Sequence, residues 1–154
     1  MWDLYRAHRA SRAVVRQIGP LIARSRTRLE DIPDQAWLQP YMVGFMGMLI
    51  SLLARNASPT IGSQATGLVQ QDSWARLTGC DACLIGEEMC LLSSQDDPKF
   101  AEGCHAALEV FECLIRIDTI HTTMSIEDPI CMQSEFGDVW IRRFDNRIQK
   151  KFDC

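Results

Sequence analysis

Lysine is scarce in this chain, with Lys99, Lys150 and Lys151 alone, and histidine is limited to His8, His105 and His121. The net charge is -4 and the isoelectric point about 5.3, a field that disfavours a dedicated duplex-binding protein. No Gly-x-Ser-x-Gly, Gly-x-x-x-x-Gly-Lys or His-Glu-x-x-His motif occurs, so the familiar nucleophile-elbow, phosphate-loop and zinc-protease signatures are missing. Glycine and proline are few, at 9 and 6 residues, which excludes collagen-like and low-complexity chains. No segment alternates apolar and polar residues over strand length. The longest apolar run, Tyr41 to Leu53, spans about 20 Å as a helix, short of the ~30 Å hydrocarbon layer. No leader-like apolar stretch precedes it.

What is present is a chain of 154 residues, 47% hydrophobic and 23% charged, which is large enough to bury one core and too apolar for disorder. The expected architecture is all-α. A compact bundle of five or six helices over residues 1–154 carries a long amphipathic helix at 1–29 and a helical body at 33–154. In the first helix Leu4, Ala7, Ser11, Val14, Val15, Ile18, Leu21, Ile22 and Leu29 share one arc, and the pattern keeps its phase across Gly19-Pro20, predicting a kink. Pro33 and Pro40 suit first helical turns, and Pro40 to Arg55 is the most apolar helix. Its Gly44 and Gly47 allow a neighbouring helix to come close. Thr60 to Gln70 reads as a weaker helix, and Asp72 as the N-cap of another that reaches Leu92. Asp97-Pro98 predicts a helix running to His121 or Thr122, and Ser134 a last one in which Phe136, Trp140, Phe144 and Ile148 recur every fourth residue.

The seven cysteines, at 80, 83, 90, 104, 113, 131 and 154, are odd in number and lie within apolar patterns, so they are expected to be reduced and buried. Cys80-x-x-Cys83 could be a redox pair or half of a zinc site. A second ligand pair would have to be Cys104 and His105, which diverge by about 100° on a helix. The helical alkylhydroperoxidase D-like pattern requires a His four residues after the second cysteine and a Glu twelve before the first. Glu87 and Leu68 stand there instead.

Two charged constellations remain. On the helix expected from Asp72, Asp81 and Glu88 fall on the apolar arc one heptad apart, while His105, Glu109, Glu112 and Arg116 form a narrow polar stripe on the next helix. One reading is an ion-pair ladder in which Glu88 or Asp81 accepts from Arg116 or His105. The other is a divalent-metal or polar-ligand site built from Asp81, Glu88, His105, Glu109 and Glu112. A ferritin-like di-iron site needs two Glu-x-x-His pairs, and none is present. The second constellation is Arg6, Arg9, Arg12 and Arg16 on the outer face of the first helix. Residues 1–30 carry +5 and the remainder -9. This asymmetry suits an acidic surface of the same fold or of a partner subunit better than nucleic acid or an anionic membrane. The four tryptophans, seven methionines and long first helix lead us to expect a homodimer that binds rather than catalyses. It should need no cofactor and reside in a reducing, bacterial-type cytoplasm.

Overall fold

The computed structural model describes residues 2–83, 85–123 and 129–152, with side-chain surroundings for 3–83, 85–119 and 135–149. In order, the elements are α1 (Trp2–Arg28), α2 (Asp34–Trp37), α3 (Pro40–Ala57), α4 (Ser63–Thr78), α5 (Ile85–Ser94), α6 (Pro98–Thr123) and α7 (Pro129–Trp140). A π-helical turn (Ile141–Asp145) and α8 (Asn146–Phe152) complete them. No strand occurs among the described residues, so the all-α expectation holds.

Helix α1 runs unbroken through Pro20. Arg16 and Pro20 are both exposed, so the carbonyl that loses its donor faces solvent and tolerates the gap. The opposite face buries Ala7, Ala10, Val14, Ile18 and Ile22. The chain then reverses through Glu30 and Asp31, both at positive φ, and α2 drops Trp37 into the core. Pro33 stands at the N-cap of α2 rather than within its first turn, whereas Pro40 does open α3.

Helix α3 is apolar on all sides because it is the central element, enclosed by α1, α4, α5 and α6. Its glycines let the neighbours in. A Cβ on Gly44 would collide with the Phe100 carbonyl, and one on Gly103 with the backbone of Tyr41 and Phe45. α3 and α6 therefore cross backbone to backbone, and the Cys104 thiol donates weakly to the Gly44 carbonyl at 3.6 Å. Gly47 receives the thioether of Met89 from α5. Asp97 caps α6 as expected, its Oδ1 accepting from the backbone N–H of Lys99 and Phe100 at 2.9 Å each.

Two expectations are corrected. No helix joins Asp72 to Leu92. Asp72 lies inside α4, which ends at Gly79 in the left-handed conformation (φ 77°), and a linker containing Cys80 to Cys83 leads to α5. Nor does Ser134 cap the last helix, since α7 already begins at Pro129. The expected loop from Ser125 lies largely outside the described residues. The four-residue repeat is real: Phe136, Trp140, Phe144 and Ile148 are all buried. Trp140 and Phe144 stack at 4.7 Å between centroids, and Phe45 meets both at 5.9 Å.

The glycine crossing yields a sign test. Gly103→Ala should lower stability by about 1–3 kcal/mol, because the added methyl has only backbone to displace. At exposed Gly67, with nothing within 4 Å of a new Cβ, the same change should raise stability by up to ~1 kcal/mol. Thermal and urea denaturation of the two variants measure the difference.

Candidate functional site

The carboxylate–histidine stripe does not converge. Asp81 lies exposed in the α4–α5 linker, where its Oδ1 accepts from the Cys83 N–H at 2.9 Å. Glu88 is half-buried on α5 and forms no ion pair with Arg116 or His105, both of which are exposed. The break at Gly79 removes the heptad relation between Asp81 and Glu88, so the expected ladder loses its geometry. On α6, Glu112 is exposed, while Glu109 pairs with Arg143 at 2.6 Å and with Arg142 at 3.3 Å, cations from the π turn. Among the described residues no three His, Cys, Asp or Glu side chains are placed to hold a metal.

The cysteine expectation is also corrected. All five described cysteines are free, but Cys83 and Cys90 are exposed and Cys80, Cys104 and Cys113 are half-buried. Cys80 and Cys83 sit in the linker because Gly79 ends the helix before them. Burial pushes the Cys80 thiol up, and hydrogen bonding to Asp81 followed by its negative charge pushes Cys83 up. Asp81 is correspondingly held below the usual carboxylate range, first by the Cys83 thiol and then by its N–H. Redox cysteines work through a stabilised thiolate, and this linker disfavours one.

A buried polar cluster at the other end went unread in the sequence. Asp145, 3% exposed, comes from the π turn and meets the C-terminal part of α1. Its Oδ1 accepts from Ser25 Oγ at 2.5 Å and its Oδ2 from Arg28 Nε at 2.6 Å. The Trp140 indole N–H donates to Ser25 Oγ at 2.8 Å, and Arg28 donates to the same oxygen at 3.2 Å. Next to Ser25 in the chain, Arg26 donates to the carbonyls of Leu77 (3.3 Å) and Thr78 (3.0 Å), satisfying the C-terminus of α4. Own-fold partners thus exist for Arg26 and Arg28. Arg6, Arg9, Arg12 and Arg16 are exposed and unpaired among the described residues. For these four the expectation of an acidic surface within the same fold is not met.

A groove of about 750 Å³ lies between the first turns of α1, the middle of α4 and the linker. Leu4, Tyr5, Ala7 and His8 form one wall, Leu68, Gln71, Asp72 and Ala75 the other, and Asp81 and Ala82 close one end. Asp72 is held in its wall by buried Ser11 behind it and by Arg76. Ser11 donates to Asp72, Ser73 Oγ donates to Ser11 Oγ at 3.1 Å, and Arg76 Nε holds the other Asp72 oxygen at 3.1 Å. The rim is apolar and solvated: Leu4 is 66%, Tyr5 61% and Leu68 45% exposed. Tyr5 and His8 also line an adjoining hollow of about 490 Å³ along Arg9, Arg12 and Arg16. Leu4, expected on the core-facing arc of the first helix, is instead exposed at the edge of this groove.

Comparison with protein-family models, curated proteins and solved structures returned no match. Among the described residues no helix is long and apolar enough to cross a membrane.

Two outcomes follow from this chemistry. Cys83 should alkylate slowly at neutral pH despite its exposure, and Asp81→Asn should quicken it by lowering the thiol pKa, whereas Cys90 should be unaffected; mass-resolved labelling between pH 7 and 9 reads both rates. Asp145→Asn should cost about 1–3 kcal/mol, because one of the two buried acceptors for Ser25 and Arg28 is lost while Arg28, 39% exposed, is partly screened by water, and equilibrium unfolding measures it.

Proposed function

We propose that this chain is a non-catalytic binding protein acting as a homodimer, with the α1–α4 groove as the contact between copies. The supporting observation is that one patch carries both halves of a self-complementary surface. A two-fold interface places the same patch on both subunits, so it must offer a recess and the group that fills it. Leu4, Tyr5 and Leu68 project beside a hollow walled by Ala7, Ala75 and Ala82. Charge follows the same logic. Among the described residues, Arg9 and Arg12, flanking the groove, pair with no carboxylate, and Asp81 at its end pairs with no cation. In the proposed dimer the partner's Asp81 meets the arginines. Exposed apolar anchors flanked by charged residues are a usual composition of a protein–protein interface. The free cysteines fit a reducing cytoplasm, which belongs to the same reading.

Analytical ultracentrifugation of the full chain tests this. At about 10 μM, a concentration sensitive to associations of ~7 kcal/mol or better, a dimer is expected. Leu68→Glu and Leu4→Glu, both at exposed positions, should each give folded monomer with an unchanged helical spectrum. A monomeric parent chain, or a dimer indifferent to both substitutions, overturns the proposal.

A further inference from the structure

A separate hollow lies on the opposite flank of α1, near its C-terminal end, and has a volume of about 260 Å³. Leu21, Arg24 and Arg28 recur there at three- and four-residue spacing and so share one stripe of α1. Gln17 extends the stripe and donates to Asp118 of α6 at 3.4 Å. Leu114 and Ile117 of α6 form an aliphatic wall, and Phe136 and Trp140 of α7 an aromatic one. Trp140 is fixed in place by its indole bond to Ser25.

The charged residues that line this hollow are both arginines, with Asp118 outside the lining. Arg28 is matched by Asp145, which takes one of its donors, and Ser25 takes a second. A guanidinium has five N–H donors, so others remain. Arg24 has no hydrogen bond or ion pair among the described residues. The described lining therefore carries one uncompensated positive charge and no carboxylate.

Gly137 is the second, independent observation. It stands in the interior of α7, where glycine is the poorer helix former by ~1 kcal/mol relative to alanine. Gly44 and Gly103 are required by close backbone contact, but a Cβ on Gly137 would meet nothing within 4 Å. As at Gly67, packing does not require the missing side chain; at Gly137, unlike Gly67, its absence leaves a hollow open. The adjoining π turn is a feature frequent at functional sites.

We propose that this hollow binds a small monocarboxylic acid with an apolar, single-ring or short aliphatic body. The carboxylate is held at Arg24, with the remaining Arg28 donors beside it, and the body lies against Phe136 and Trp140. Guanidinium matches carboxylate in a two-bond fork, and a single net positive charge suits a monoanion better than a phosphate dianion. The volume lies just below the ~300–1,000 Å³ of sites for drug-sized ligands, which sets the size class. This inference is independent of the proposed dimer.

Phenylacetate is the probe, titrated into the full chain labelled for proton–nitrogen spectra, with octanoate as the aliphatic counterpart. Saturable one-to-one shifts are expected at the Trp140 indole N–H and the Gly137 amide. Phenylacetamide, equal in shape but uncharged, should bind about tenfold more weakly or worse, and Arg24→Ala should weaken phenylacetate by a similar factor. Gly137→Leu should abolish binding without lowering the melting temperature. Gly137→Ala, which adds one methyl, should weaken it in a folded protein if the leucine variant fails to fold. The monomeric Leu68→Glu protein should bind as the parent does. No saturable shift with either acid at about 10 mM, equal binding of phenylacetamide, or binding unaltered by both Gly137 variants overturns the inference.

Discussion

The close crossing of α3 and α6 is the constraint on which the other packing depends. Where two helices carry side chains at their contact, their axes stand 8–10 Å apart. At Gly44 and Gly103 no side chain intervenes, and each backbone fills the space a Cβ would take on the other. Helix α3 is thereby enclosed on one side by a main chain rather than by a layer of side chains. Its larger residues are left to meet the remaining neighbours: Phe45 reaches Trp140 and Phe144, and Gly47 admits Met89 from α5. Because both positions at the crossing are glycine, the contact has little capacity to slide, and it fixes where α6 delivers Leu114 and Ile117 and where α7 follows.

The C-terminal part answers a geometric problem. A residue repeating every fourth position on an α-helix advances about 40° per step, so over three steps a stripe would turn away from its neighbour by roughly 120°. Phe136, Trp140, Phe144 and Ile148 are nevertheless all buried. The π turn at Ile141–Asp145 widens the helix at the middle of this repeat and takes up part of the drift. It also brings Asp145 to Ser25 and Arg28, and sends Arg142 and Arg143 to Glu109. One local irregularity thus binds the tail to α1 and to α6 at once.

What the sequence made legible were features with a local cause. Pro40 and Asp97-Pro98 mark helix starts through steric and capping effects acting within one turn, and both are found in place. The core stripe of α1 was legible because its period is long and uninterrupted. Gly79 was not, because an isolated glycine inside an apolar pattern has the same local signature whether it ends a helix or sits within one. Misreading it put Asp81 and Glu88 on one face and suggested a cluster that the fold does not assemble. Asp145 was invisible for a different reason. Its partners Ser25 and Arg28 are more than a hundred residues away, and no periodicity links them. The groove and the smaller hollow were equally out of reach, since each is formed by elements that are not all neighbours in the chain.

The arginines of α1 show how one helix can hold two physical roles. In its last two turns Arg26 satisfies the carbonyls that end α4, and Arg28 neutralises Asp145, so these charges are consumed by the fold. In its first half Arg6, Arg9, Arg12 and Arg16 are exposed and unpaired among the described residues. Surface guanidiniums in water contribute little to stability, so nothing in the fold requires a row of them. Most of the arginines left unpaired among the described residues therefore lie toward the end of α1 where Leu4 and Tyr5 are also exposed. Apolar projection and unmatched charge on one short segment are what the proposed contact between copies draws on, while the other end of the same helix is organised inward. Arg24 is the exception along the inward half, left without a partner beside an aromatic hollow, and this departure from the pattern of its neighbours singles out that hollow.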